Sequence, residues 1–67
     1  MNIRSEFTEP ECEWFRKVCN FTPEEEAVFN LRVKDHSRVE IADELGMSVS
    51  TVDRRIRRIK RKIHKVL

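Results

Sequence analysis

Basic side chains are concentrated in one segment of the 67-residue sequence. Residues 54 to 65 contain no acidic side chain and eight basic ones, namely Arg54, Arg55, Arg57, Arg58, Lys60, Arg61, Lys62 and Lys65. At about 100° per residue of helix, one face of this segment collects Ser50, Arg54, Arg57, Arg61 and Lys65, with Asp53 and Arg58 on its flanks. Guanidinium and ammonium groups gathered on one face attract a polyanion. The segment therefore predicts a surface that binds a polyanion.

The opposite face of the same segment is apolar. Its members recur at alternating spacings of four and three, and they are Val52, Ile56, Ile59, Ile63 and Val66. This pattern predicts a long amphipathic helix that packs on a core. By itself, such a helix is also typical of a solvated surface, of a membrane-surface helix and of a helix bound in a partner's groove. The elements that precede it are needed to decide between these interpretations.

A shorter helix is predicted immediately before the basic one. Ser37 and Glu40 have the spacing of a capping box, which begins a helix. The inner stripe of this helix is Ile41, Ala42 and Leu45. Gly46 follows, and glycine adopts the left-handed conformation that ends a helix without a Cβ penalty. Ser48 can cap the basic helix, so two capped helices around a tight turn indicate a helix-turn-helix.

This pattern resembles two groups of bacterial domains, the LuxR-type DNA-binding domains and the C-terminal, promoter-reading domain of sigma factors. The matching segments are Phe21-Thr22-Pro23-Glu24-Glu25-Glu26-Ala27-Val28-Phe29, then Ser-x-x-Glu-Ile-Ala-x-x-Leu-Gly from Ser37 to Gly46, then Met47-Ser48-x-x-Thr51-Val52, and finally Ile56, Ile59 and Arg61-Lys62 ahead of Ile63. The resemblance covers Phe21 to Ile63. It implies a DNA-binding protein that is encoded by a bacterium or a phage and is located in the cytoplasm.

Two features depart from these families. LuxR-type domains have a further helix, often used for dimerisation, whereas this sequence ends at Leu67. We expect a monomer or a weak homodimer. Asp53 occupies a recognition-helix position that is usually basic or polar, which leaves the preferred base sequence open.

Two more helices are predicted before the motif. Thr8-x-x-Glu11 predicts a capped helix from about Glu9 to Cys19, and Thr22-Pro23-x-Glu25 predicts another that ends near Val33. The first helix has the stripe Cys12, Phe15, Val18 and Cys19, and should lie across the others as a lid. The second has the stripe Ala27, Val28 and Leu31, with Phe29 and Val33 partly covered. The expected fold class is all-α, a small helix-turn-helix domain of four helices with a long C-terminal recognition helix.

Composition supports one small, helical domain. The chain is 39% charged and has one Gly and two Pro, so turns are few. We expect a single domain over residues 1–67, with residues 37–63 as the helix-turn-helix core and residues 1–7 disordered. No apolar run approaches the length of a membrane span or a signal peptide, which favours a cytoplasmic protein without membrane contact.

Charge is distributed unevenly along the chain. The formal net charge is +2, but residues 1–33 carry four basic and seven acidic side chains, a net charge of −3. Residues 34–67 carry ten basic and five acidic side chains, a net charge of +5. An acidic first half would keep nucleic acid on one side of the protein, or would meet a basic partner.

Other chemistry is not supported by the residue pattern. Cys12 and Cys19 lie two helical turns apart, which is not the Cys-x-x-Cys spacing of zinc sites, and His36 and His64 are far apart in sequence. The thiols are interpreted as small buried apolar side chains. There is no glycine-rich phosphate loop and no Ser/His/Asp arrangement with identifiable roles. We therefore predict no metal, no cofactor and no enzymatic activity.

The helix-turn-helix interpretation assigns a role to each polar residue of the motif. The N-terminal part of the recognition helix contacts base edges in such motifs, which selects Ser50, Asp53, Arg54 and Arg57 as base-reading residues. Asp53 could accept a hydrogen bond from cytosine or orient a neighbouring arginine. The predicted phosphate contacts are Arg38, Ser48, Thr51, Arg55, Arg58 and Arg61.

Three functions remain open at this point. The first is a sequence-specific regulator of transcription that binds double-stranded DNA. The second, implied by the sigma-factor resemblance, is an adaptor that docks on RNA polymerase through its acidic first half and touches promoter DNA. The third is a protein-interaction module whose basic helix binds an acidic partner without DNA.

Overall fold

Residues 7–67 fold into four helices. The computed structural model describes residues 7–67. Its helices are α1 (Glu9–Val18), α2 (Pro23–Val33), α3 (Arg38–Leu45) and α4 (Val49–Val66), and residues 7–67 contain no strand. The all-α class and the four-helix architecture are confirmed. The predicted disorder of residues 1–7 falls outside the described residues except at Phe7, whose ring lies edge-on to Phe15 with centroids 4.7 Å apart.

Each helix begins at the cap that the sequence predicts. Complete capping boxes occur at Thr8–Glu11, Thr22–Glu25 and Ser37–Glu40, where hydroxyl and carboxylate each accept a hydrogen bond from the other residue's backbone amide. The Ser48 hydroxyl accepts from the Thr51 amide at 3.1 Å and caps α4. Because these caps pair amides that a helix start leaves free, they fix where each helix begins. The only difference from the expected bounds is that α1 ends one residue earlier.

One apolar core holds the four helices together. Its buried members are Cys12, Phe15, Cys19, Val28, Phe29, Ile41, Ala42, Val52, Ile56, Ile59 and Ile63. α4 packs against both α2 and α3, and α2 also packs against α3. Cys12 and Cys19 are free thiols in this core, and burial raises the pKa of both. They therefore serve as small apolar side chains, as predicted.

Two of the predicted stripes are wrong in part. Val18 was placed in the buried stripe of α1 but is 41% exposed. In α2, Phe29 is completely buried rather than partly covered, while Ala27 and Leu31 are only half-buried. The buried face of α2 includes Glu25, which is 1% exposed. This orientation is possible because α4 supplies a charged partner for that carboxylate.

α1 is attached to α2 by polar contacts as well as by the core. The Arg16 Nε donates a hydrogen bond to Asn30 Oδ1 at 2.7 Å. The same guanidinium lies 5.5 Å from the centre of the Phe29 ring, within the range of a cation–π contact. These contacts fix α1 beside α2.

Candidate nucleic-acid interface

The turn between α3 and α4 is built on a left-handed glycine. Gly46 has φ +66° and its amide donates to the Ala42 carbonyl oxygen, as does the amide of Met47 at 3.0 Å. Both bonds end on the same carbonyl oxygen, in the last turn of α3, where the helix itself provides few donors. Since Ser48 caps α4 directly afterwards, the two helices are separated by a turn of three residues. This is the predicted helix-turn-helix connection.

The apolar face of α4 sets the rotation of this helix. Val52, Ile59 and Ile63 are completely buried and Ile56 is 7% exposed. Val66 is half-buried against the core. Because these residues occupy one side of the helix, the basic residues on the opposite side must face solvent.

Ion pairs on both flanks of α4 reinforce this rotation. On the α3 side, Arg38 Nη1 donates to Asp53 Oδ1 and Oδ2 at 3.0 and 2.9 Å. On the α2 side, Arg55 donates to Glu24 Oε2 from Nε at 3.1 Å and from Nη2 at 2.8 Å. These pairs join the beginnings of α3 and α2 to the N-terminal half of α4.

A third ion pair, which is largely buried, joins α2 to the C-terminal half of α4. Lys62 Nζ donates to Glu25 Oε1 at 2.5 Å and to the Asn20 carbonyl oxygen at 3.1 Å. Burial raises the pKa of Glu25, but three effects outweigh it: the hydrogen bond from Lys62, the one from the Thr22 amide, and the charges of Lys62 and Arg58. The pKa of Glu25 is therefore lowered, and the carboxylate is ionised in the folded protein at neutral pH.

Six polar residues of α4 that take part in none of these ion pairs form an exposed surface, the outer face. Its members are Ser50, Arg54, Arg57, Arg58, Arg61 and Lys65, and all six are exposed. Arg54 Nη2 donates to Thr51 Oγ1 at 3.4 Å. The five cations of this face form no ion pair with any residue of the described range 7–67. At 1.5 Å per residue, the outer face extends about 22 Å along the helix.

The predicted base-reading residues do not all occupy the same surface. Ser50, Arg54 and Arg57 lie together on the outer face. Asp53 lies on the flank instead, where its side chain is 31% exposed and bonded to Arg38. One predicted role of Asp53 is to orient a neighbouring arginine, and the arginine bonded to it belongs to α3 rather than to α4.

The predicted phosphate contacts fall into three groups. Arg58 and Arg61 belong to the outer face. The Ser48 and Thr51 hydroxyls lie 2.9 Å apart at the start of α4. Two arginines are held in ion pairs, with exposed side-chain fractions of 54% for Arg38 and 24% for Arg55.

Two features of α4 and its neighbours are absent from the predicted contacts. Lys65 belongs to the outer face but was left out of the predicted contacts, although its spacing of four from Arg61 was visible. The Glu25–Lys62 pair was missed because its members are separated by 37 residues. Glu25 is also not part of the predicted stripe of α2, so the sequence pattern contains no signal for its burial.

Other kinds of site find little support within residues 7–67. This part of the chain contains no group of three or more Asp, Glu, His or Cys side chains arranged to hold a metal ion. Nor does it contain a helix whose length and apolar character would allow it to cross a membrane. The polar feature that stands out is the exposed basic face of α4.

Comparison with known families agrees with this geometry. The family model described as "Sigma-70, region 4" matches residues 21–63, from the residues that lead into α2 to the last buried isoleucine of α4. No curated protein and no solved structure gives a significant match to the chain. The family match spans well over half of the 67 residues. The chain therefore belongs to the sigma-70 region 4 family, a family of helix-turn-helix DNA-binding regions.

Proposed function

We propose that this protein is a sequence-specific regulator of transcription that binds double-stranded DNA through the outer face of α4. The observation that carries the proposal is the set of five exposed cations that have no ion-pair partner in residues 7–67. Cations without an internal partner are available to neutralise phosphates, and phosphate contacts supply much of the affinity of DNA-binding proteins. The family match supports this choice of polyanion.

In the proposed complex, α4 enters the major groove with its N-terminal half. A major groove of B-form DNA is about 12 Å wide and admits one α-helix. Ser50, Arg54 and Arg57 would contact base edges, and the two arginines can each donate two hydrogen bonds to guanine. Asp53 would contribute either by accepting from cytosine or by orienting Arg38. The flanking phosphates would be contacted by Arg38, Ser48, Thr51, Arg55, Arg58 and Arg61.

Duplex titration at several salt concentrations tests the proposal. Affinity should fall steeply as salt rises, because each neutralised phosphate releases counterions and contributes about −0.9 to the slope of log K against log salt. Selection of bound duplexes from a random pool would then report the sequence preference and the symmetry of the site. Absence of duplex binding at low salt would refute the proposal and favour the protein-interaction module.

A second candidate function is an adaptor that contacts RNA polymerase as well as promoter DNA. The observation that favours it is an exposed apolar surface on α1, where Trp14 is 46% and Val18 is 41% exposed, next to acidic Glu9, Glu11 and Glu13. In this proposal α1 docks on the polymerase while α4 faces DNA. Co-purification with RNA polymerase should then be lost in Trp14→Ala but kept in Lys17→Ala, another change on α1. Equal retention of the polymerase by both variants would rule out α1 as the docking element.

The proposal also specifies the organisation of the protein. We infer that residues 1–67 act as a single domain with the helix-turn-helix core at residues 37–63, and that the protein works in the cytoplasm, where the DNA of a bacterium or an infecting phage lies. We expect a monomer or a weak homodimer. Sedimentation equilibrium with and without the selected duplex measures this, since a symmetric site would recruit two copies.

A further inference from the structure

A groove opens between the beginning of α2 and the C-terminal half of α4. It has a volume of about 270 Å³ and is lined by Thr22, Glu25, Arg58, Arg61, Lys62 and Lys65. Four of these six side chains are cations, and Glu25 is the only anion among them. A concave surface that gathers several charges of one sign concentrates counter-ions of the other sign.

Three of the four cations are in no ion pair with the residues that the structure describes. Lys62 is bonded to Glu25, so these two charges compensate each other. Arg58, Arg61 and Lys65 are exposed and form no ion pair within residues 7–67. Their spacings of three and four place them side by side on α4, where like charges repel one another. A bound anion would relieve this repulsion.

We propose that the groove binds a phosphate group through Arg58, Arg61 and Lys65. The two guanidinium groups offer planar pairs of N–H donors that match the spacing of phosphate oxygens, and the ammonium adds a point charge. Thr22 is exposed at the start of α2 and its hydroxyl can donate to a further oxygen. At the inner end of the groove Lys62 is already bonded to the Glu25 carboxylate and is not free to bind an anion. The phosphate therefore lies at the rim, among the three cations.

The source of this phosphate is the DNA backbone, an assignment that rests on the proposed function. At 1.5 Å per residue, Arg58 and Arg61 lie about 6 and 10 Å beyond Arg54 along α4. In a major groove about 12 Å wide, cations at this distance from a base-contacting residue reach the edge, where the backbone passes. The groove lies on the α2 side of α4, whereas Arg38 lies on the α3 side. One specific phosphate in the groove would thus set how far α4 enters the duplex.

A phosphate-neutralisation scan tests this assignment. Each phosphate of the selected duplex is replaced in turn by an uncharged methylphosphonate, and binding is measured for the wild type and for the double variant Arg58→Ala/Lys65→Ala. The wild type should lose about tenfold in affinity at one phosphate, as expected for charge-assisted hydrogen bonds, and the double variant should be insensitive there. Lys60→Ala removes a charge from the same helix outside the groove and should keep the sensitivity. Circular dichroism verifies folding, and Lys65→Ala alone serves if the double variant unfolds.

Titration of the protein alone with pyrophosphate, followed by NMR, tests the phosphate site independently of DNA binding. Chemical-shift changes at the groove residues that disappear in the double variant support the phosphate site. If these changes occur while the scan shows no special phosphate, the groove binds a small phosphate compound instead of the backbone. Duplex binding with neither a special phosphate nor a pyrophosphate response would overturn this inference and leave the proposed function standing. Pyrophosphate binding without any duplex binding would support a phosphate site in the groove and refute the proposed function.

Discussion

Arg38 and Asp53 are bonded to each other across the turn of the helix-turn-helix, with Arg38 Nη1 at 3.0 and 2.9 Å from the two carboxylate oxygens. Both residues were expected from the sequence to contact DNA, one at a phosphate and the other at a base. In the structure the carboxylate holds the guanidinium, so under the proposed function it would compete with a DNA phosphate for Arg38. The pair would then link the geometry of the motif to its affinity for a duplex.

Replacing Asp53 by Asn should strengthen binding to random duplex DNA. The change removes one negative charge from the proposed interface and releases Arg38 for a phosphate, so the salt slope should become steeper by about one phosphate contact. Thermal stability should fall only slightly, because exposed ion pairs contribute about 0–1 kcal/mol. Fluorescence anisotropy at three salt concentrations measures the slope.

Asp43→Asn provides the matched control for this change. Asp43 is exposed on α3 and takes part in none of the ion pairs described above, so its replacement alters net charge by the same amount without releasing an arginine. Its salt slope should stay close to that of the wild type. Weaker duplex binding by Asp53→Asn would mean that the carboxylate holds Arg38 in a productive position or accepts from a base itself.

Replacing Lys62 by Ala should be strongly destabilising. The change leaves the Glu25 carboxylate, which is 1% exposed, without its charged partner, and breaking a buried ion pair in this way costs about 3–5 kcal/mol. Glu25→Gln should cost less because Lys62 is 31% exposed and can turn to water. Urea unfolding of both variants and of the double variant gives the coupling energy. A small effect of Lys62→Ala would show that water reaches the carboxylate.

The same pair predicts a pH dependence of stability. The pKa of Glu25 is lowered in the folded protein, so its contribution to the free energy of unfolding is fully present above the unfolded-state value of about 4.3 and is lost as the pH falls through the folded-state value. The wild type should therefore lose more stability than Glu25→Gln between pH 7 and pH 3. Parallel stability curves for the two proteins would contradict this assignment.

Replacing Gly46 by Val should destabilise the motif through the backbone. Gly46 has φ +66°, and a Cβ at this position would meet no atom within 4 Å, so steric contact is not the cause. A side chain in the left-handed region costs about 1–2 kcal/mol, and a β-branched one is especially unsuited to it. Gly46→Asn should cost less, since asparagine adopts this conformation more readily. Thermal melts of the two variants test this order, and an unchanged melting temperature for Gly46→Val would refute it.

Arg54 and Arg61 should differ in their effects on specificity. Both are exposed on the outer face, seven residues apart, but only Arg54 lies in the half of α4 proposed to enter the major groove. Arg54→Ala should cost about 1–3 kcal/mol on the preferred duplex and much less on random DNA. Arg61→Ala should weaken both duplexes by similar factors and make the salt slope shallower by about one contact. If Arg61→Ala is the variant that loses discrimination, α4 docks in the opposite sense.

Local interactions explain why so much of the fold could be predicted. Each cap joins residues three apart, such as Ser37 and Glu40, and the apolar spacing of α4 is a property of one helix. Gly46 likewise ends α3 through its own backbone conformation. Such features depend on only a few neighbouring residues, so the sequence alone determined the helices, the tight turn and the exposed basic face.

The tertiary structure decided which basic side chains are held in ion pairs and which are left to solvent. Arg38 meets Asp53 across 15 residues, Arg55 meets Glu24 across 31, and Lys62 meets Glu25 across 37. A helical wheel gives the direction of a side chain on its own helix but not the element packed beside it. The sequence therefore could not show that Arg55 and Lys62 are held in ion pairs with α2. The rotation of α2 that buries Glu25 was hidden for the same reason. Packing of α2 and α3 against the two flanks of α4 pairs the flanking charges and leaves those of the outer face to solvent.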